Sequence, residues 1–236
     1  EAPKTWEDVV NKLVPNVASF DIRRNLEQSA IAFGEYQNLT NPKAVLLMLA
    51  MQSGSRMVYL DEGQYEIGVD EHIEAGNRQK PLRLAMEFFT DFSNSNSALY
   101  TWNRVQPIDK NAFLSGELAT YFGYASEYQE LRDKNPNLNF DAAPVPQGSE
   151  ATVHRTFGNF YGFAIPKTAL NPNGAFLAAQ TLASPEYNGD LADVFGMVSA
   201  RRDIIAAGAL DPAEQAAMQS ALIARGWLDP APETTD

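Results

Sequence analysis

The run Ser29-Ala-Ile-Ala-Phe-Gly34 is apolar and closes on a glycine, the pattern of a short buried strand ending in a corner. Helical patterns flank it. Upstream, Thr5-Trp6-Glu7-Asp8 sets a capping hydroxyl three residues before an acid, and Trp6, Val9, Val10 and Leu13 follow at helical spacing, predicting a helix to Pro15. Downstream, Asn41-Pro42 reads as a cap with proline in the first turn, and the helix Ala44 to Gln52 stops at Ser53-Gly54. A buried strand between helices requires a layered α/β arrangement.

The alternation continues along the chain. Residues 59–69 read as a hairpin or an extended arm, and Leu82, Ala85, Met86 and Phe89 mark a helix that the polar string 93–97 ends. A helical turn from Asp109 to Ser115, a strand over 117–122, a helix over 126–134 and strands over 138–142 and 160–165 follow. Helices over 175–183, 187–195 and 213–225 complete the pattern. The fold class expected from this order is α/β.

Composition narrows the function. The chain has 236 residues, 44% of them hydrophobic, enough to bury a core. Eighteen Lys and Arg stand against 30 Asp and Glu, a net charge of −12, which repels phosphate backbones and anionic lipid, so no nucleic-acid partner is expected. There is no cysteine, which removes thiol nucleophiles, disulfides and zinc-thiolate sites. The longest apolar run, Ala44 to Met51, falls short of the roughly 18 residues a spanning helix needs. The opening Glu1-Ala2-Pro3 has no Met or leader, so a processed product or an excised piece is expected.

Catalytic signatures are weak. His72 and His154 show no metal-ligand spacing, and no nucleophile elbow precedes a helix. Acidic pairs such as Asp61-Glu62 and Asp70-Glu71 are common in so acidic a chain and read first as solvated surface. No metal, cofactor or catalytic residue is expected.

Aromatic residues in loops carry more information. Tyr100-Thr-Trp102-Asn103, the corner Gly123-Tyr124, the stretch Phe157-Gly-Asn-Phe-Tyr161-Gly-Phe-Ala-Ile-Pro166 and Trp227 set large rings beside Gly and Asn. Rings with adjacent amides and hydroxyls suit a sugar, which stacks its C–H face and hydrogen-bonds its hydroxyls. Each ring could equally fill a gap in the core.

Five ordered segments resemble the extracellular solute-binding proteins of ABC importers, in the group that binds maltose and other carbohydrates. Lys4-Thr5-Trp6-Glu7 is similar to the P-x-T-W-D/E opening of that family's second lobe, and Met51-Gln52-Ser53-Gly54 to its Q-x-G-G helix end. Phe113 through Gly123-Tyr124, Phe140 to Pro146 and Tyr161-Gly162 to Lys167 match the F-x-x-G-K-x-A-M-x-x-G, F-x-x-x-P-x-P and G-x-A-I-P-K patterns. Ser53 in place of a glycine and Glu117 in place of the common lysine are departures.

The resemblance covers nearly the whole chain. It implies a periplasmic-binding-protein-like (type II) lobe, with residues 1–111 and 158–236 forming the second lobe and 112–157 a crossover segment related to the first. Most of the first lobe and the C-terminal helices would be missing. It further implies a non-catalytic protein, periplasmic or extracellular and associated with the cell surface, that binds a mono- or oligosaccharide in a cleft and delivers it to an ABC permease. Any membrane contact would run through the transporter or a lipid anchor outside this chain. The contacts it implies are Gly34, Glu35 and Tyr36 after the first strand, Trp102, the corner Gly123, Tyr124 and Ser126, the later Asn159, Phe160 and Tyr161, and Trp227. Glu35 or Glu127 would accept hydrogen bonds from sugar hydroxyls. The alternatives are a glycoside-processing enzyme using paired carboxylates, or a fragment that binds nothing tightly. An open strand edge within 112–147 would also favour dimerisation or swapping.

Overall fold

The structure is a computed structural model that describes residues 2–55, 57–68, 72–74 and 77–226. The chain divides into two compact units. Unit 1 comprises the described residues of Glu1–Gly123, Val145–Gly158 and Ile223–Asp236; unit 2 comprises Tyr124–Pro144 and Asn159–Leu222.

Unit 1 opens with helix α1 (Trp6–Asp8), a π-helical stretch Val9–Leu13 and helix α2 (Val14–Val17). Thr5 Oγ1 caps the start by accepting the Asp8 N–H at 3.1 Å. The helix runs to Val17, two residues past its expected end near Pro15. Proline lacks an N–H and crowds the carbonyl four residues back, and the wide turn, in which the Val14 N–H reaches the Val9 carbonyl, lets the helix pass through it.

Strand β1 (Ser19–Phe20) then pairs antiparallel with β2 (Leu26–Ile31), so the strand starts earlier than the apolar run 29–34 suggested. Helix α3 (Pro42–Gln52) buries Val45, Leu47, Met48, Leu49 and Ala50, apolar on nearly every side as a central helix must be. Two hairpins follow, β3 (Val58–Asp61) with β4 (Gln64–Ile67), and β5 (His72–Glu74) with β6 (Asn77–Gln79). Helix α4 (Pro81–Asp91) packs on α3 and turns Ala85 and Phe89 inward while Arg83 and Glu87 pair at 2.7 Å on its exposed side.

Helix α5 (Asp109–Ser115) ends at Gly116, whose φ of +84° is the left-handed cap that favours glycine. The chain then enters β7 (Leu118–Thr120), parallel to β2 with Ser29 opposite Leu118 and Ile31 opposite Thr120. The sheet order is therefore β1-β2-β7. Strand β8 (Thr156–Phe157) pairs parallel with β9 (Ala224–Arg225).

Around the sheet lies an aromatic core. Trp6 meets Phe33, Phe88 and Phe122 at centroid distances of 5.8, 5.4 and 6.1 Å, and Phe33 also touches Phe89 and Phe92. The Trp6 indole N–H donates to Gln52 Oε1 at 2.6 Å, and Gln52 donates to the carbonyls of Pro146 and Arg155.

Unit 2 contains α6 (Tyr128–Lys134), preceded by the 3-10 turn Ala125–Glu127, then α7 (Pro172–Leu182), α8 (Pro185–Val194), α9 (Arg202–Ala207) and α10 (Pro212–Ile223). Among the described residues the expected strands over 138–142 and 160–165 form no ladder.

These units do not follow the expected division into 1–111, 112–157 and 158–236. Pairing of β7 with β2 holds residues 112–123 in unit 1, as do the mutual backbone bonds of Gln147 with Trp6 and Lys4 for the stretch after Pro144.

Candidate functional site

In unit 1 the candidate residues gather on the loop after β2. Gly34 has φ of +95°, and a Cβ there would stand 2.5 Å from the Ser93 side chain, so the corner accepts only glycine without a shift. The Ser93 hydroxyl donates to the Gly34 carbonyl at 3.2 Å. Glu35 pairs with Arg104 at 3.4 Å, and Tyr36 stands with more than half its surface exposed.

Trp102 corrects one expectation. Its ring is fully buried and its indole N–H donates to Asn38 Oδ1 at 3.1 Å, so it offers no face to a solute. Asn38 in turn donates to the carbonyls of Asn103 and Gln106 at 3.0 and 3.1 Å. This bracket ties the loop bearing Glu35 to the loop bearing Arg104. Buried Asp109 extends it by accepting the Thr40 N–H and hydroxyl at 2.8 and 2.6 Å.

In unit 2 the candidates converge on the turn after Gly123. The Tyr124 N–H donates to Glu127 Oε2 at 2.8 Å and the Glu127 N–H donates to the Tyr124 carbonyl at 3.0 Å, a reciprocal cap that fixes the corner. The Tyr124 phenol is hydrogen-bonded to the Asn159 side chain. Burial raises its pKa above the ordinary phenol value, the negative charge of Glu127 and the Tyr161 phenol add to the rise, and the Asn159 bond opposes it. A phenol held neutral in this way keeps both its donor and its acceptor.

Tyr161 and Phe160 leave 78% and 68% of their surfaces exposed, which gives two open aromatic faces beside the Asn159 amide. Ser126 is exposed on the same turn, with Gly196 close against its backbone.

The structure thus brings Tyr124, Glu127, Asn159 and Tyr161 together in unit 2, and places Gly34, Glu35 and Tyr36 in unit 1 with Gly123 at its boundary. Trp227 lies outside the described residues. Sequence reading missed Asn38 and Arg104, because neither lies in a recognisable motif and each acts through a loop about 65 residues away. Among the described residues no cluster of three or more His, Asp or Glu side chains is placed to hold a metal ion, and no helix is long and apolar enough to cross a membrane.

No protein-family model matches the chain, and no curated protein matches it. Solved structures do. A cyclo/maltodextrin-binding protein complexed with maltotetraose superposes with a TM-score of 0.69 at 14% identity, covering 96% of this chain and 54% of that one. The maltotriose-binding protein of Thermus thermophilus, bound with maltotriose, gives 0.56 at 14% identity over 97% and 56%. A putative oligosaccharide periplasmic-binding protein from Synechococcus sp. MITs9220 gives 0.55 at 16% identity over 96% and 56%. The chain spans about half the length of each. At these identities the likeness concerns the fold, and the chain has the mixed α/β, periplasmic-binding-protein-like fold of these sugar-binding proteins.

Proposed function

We propose that this chain binds a mono- or oligosaccharide outside the cytoplasm, without turning it over, and serves the permease of an ABC importer. The observation that carries the reading is the group Tyr124, Asn159 and Tyr161, two phenols and an amide beside an exposed aromatic face. It sits in a fold shared with structures solved with maltotriose and maltotetraose. Tyr161 and Phe160 stack on the C–H face of a sugar ring, Asn159 and Tyr124 take its hydroxyls, and Ser126 and Glu127 accept at the rim. Gly34, Glu35, Tyr36 and Gly123 remain proposed contacts within unit 1. Trp227 remains a proposed contact, and Trp102 is left out because its surface is already spent in the core.

Isothermal titration with maltotriose, maltotetraose, monosaccharides, amino acids and polyamines tests the reading. Saturable binding of a sugar is expected, weakened at least about tenfold in Tyr161→Ala. Binding of none of the sugars, or hydrolysis of a chromogenic glycoside, would overturn it.

A further inference from the structure

Helix α8 closes on the same hydrogen-bonded cap as α5. The Met197 N–H donates to the Ala192 carbonyl at 2.8 Å and the Gly196 N–H to the Asp193 carbonyl at 3.1 Å, with Gly196 at φ of +60°. Glycine is commonest at this left-handed position and asparagine is also found there, so the cap by itself admits either. The two helix ends differ in their surroundings. A Cβ at Gly116 would meet nothing within 4 Å, whereas one at Gly196 would stand 3.6 Å from the Ser126 Cα, 3.8 Å from its carbonyl oxygen and 3.9 Å from its Cβ. A methyl group there would lie in van der Waals contact with Ser126, and any larger side chain would have to spread along the turn that bears Tyr124 and Ser126. Both segments belong to unit 2. The turn is itself fixed, because the backbone N–H of Tyr124 and that of Glu127 each find their acceptor on the other residue.

We propose that Gly196 is a specificity-determining residue of the sugar site: by carrying no side chain it keeps open the space beside Ser126 into which a sugar ring fits. The inference rests on the sugar reading and adds a wall to that site, the end of α8. Ser126 is exposed, so its hydroxyl is left to meet a hydroxyl of the ring. The size of the residue at position 196 then sets which saccharides enter.

Two substitutions separate a wall from a cap. Were Gly196 to serve the helix end alone, Gly196→Ala would be the more harmful, because alanine accepts left-handed backbone less readily than asparagine. As a wall of the site, it makes Gly196→Asn the more harmful to binding, because that side chain is the larger. Thermal unfolding and isothermal titration with the saccharides of the preceding test read the two effects in parallel. Gly196→Ala is expected to have the lower unfolding midpoint, and Gly196→Asn to lose at least about tenfold in sugar affinity, more than Gly196→Ala loses. The inference alone is overturned by sugar binding that Tyr161→Ala weakens and Gly196→Asn leaves unchanged, or by affinities that follow the order of the unfolding midpoints. Binding of no sugar by the unsubstituted chain overturns the sugar reading and this inference with it.

Discussion

Gly34 and Gly116 both adopt left-handed backbone, yet they differ in what a side chain would meet. At Gly34 the added Cβ meets Ser93 at 2.5 Å, while at Gly116 nothing lies within 4 Å. Gly34→Ala therefore adds a steric clash to the backbone cost and should lower stability by about 2 to 3 kcal/mol, against about 1 kcal/mol for Gly116→Ala, read from urea unfolding. Tyr124 supplies a second test at this scale. Its raised pKa means the folded state holds the phenolic proton more tightly than the unfolded state does. That stability is fully present below pH about 10 and is lost as pH rises through the folded value. Tyr124→Phe should flatten the alkaline decline, and ultraviolet titration should lose a phenol that titrates above the ordinary range; an unchanged profile would count against a raised Tyr124.

Loop 100–106 and loop 34–40 act as one element because Trp102 and Asn38 bind them together. Trp102→Phe retains most of the ring but leaves Asn38 Oδ1 without its donor in a buried place. A loss of about 1 to 2 kcal/mol in stability is expected, with sugar affinity little changed, since the ring faces no solute. A selective loss of affinity at unchanged stability would restore Trp102 to the binding site. The start of α7 gives a simpler case. Asn171 Oδ1 accepts the Gly174 N–H at 3.0 Å, so Asn171→Ala should cost about 1 kcal/mol, measured by thermal unfolding.

The two units differ in what they bury. Unit 1 encloses Phe33, Phe89, Phe92 and Trp102 around its sheet, whereas the described hydrophobic residues buried in unit 2 are Leu131, Ala192, Ala213, Ala216 and Met218. Smaller buried groups remove less apolar surface from water. Hydrogen exchange under rising denaturant should therefore release α7 and α8 before Ala30 of β2, whose N–H donates to the Thr101 hydroxyl and whose carbonyl accepts from the Thr120 hydroxyl. Simultaneous release would mean that both units unfold as one.

Much of the architecture was legible in the residues alone. Thr5, Pro42 and the spacing of Val9, Leu13, Ala85 and Phe89 located helices because capping and periodicity are local properties, whereas Asn41 stands at the cap position without a side-chain cap bond and donates instead to the Tyr121 hydroxyl and the Phe122 carbonyl; acidic charge with no cysteine restricted the chemistry before any fold was known. Partnership was not legible. The apolar residues of 160–165 specify a strand but not the strand beside it, and among the described residues no ladder forms there. Trp102 and Tyr161 both read as rings in polar loops, yet one is sealed by Asn38 and the other stands open. The sequence by itself determined which segments could be helix or strand and where polar and aromatic groups lie along the chain. Only the tertiary structure decided which of those groups meet solvent, because burial and hydrogen-bond pairing depend on residues tens of positions away.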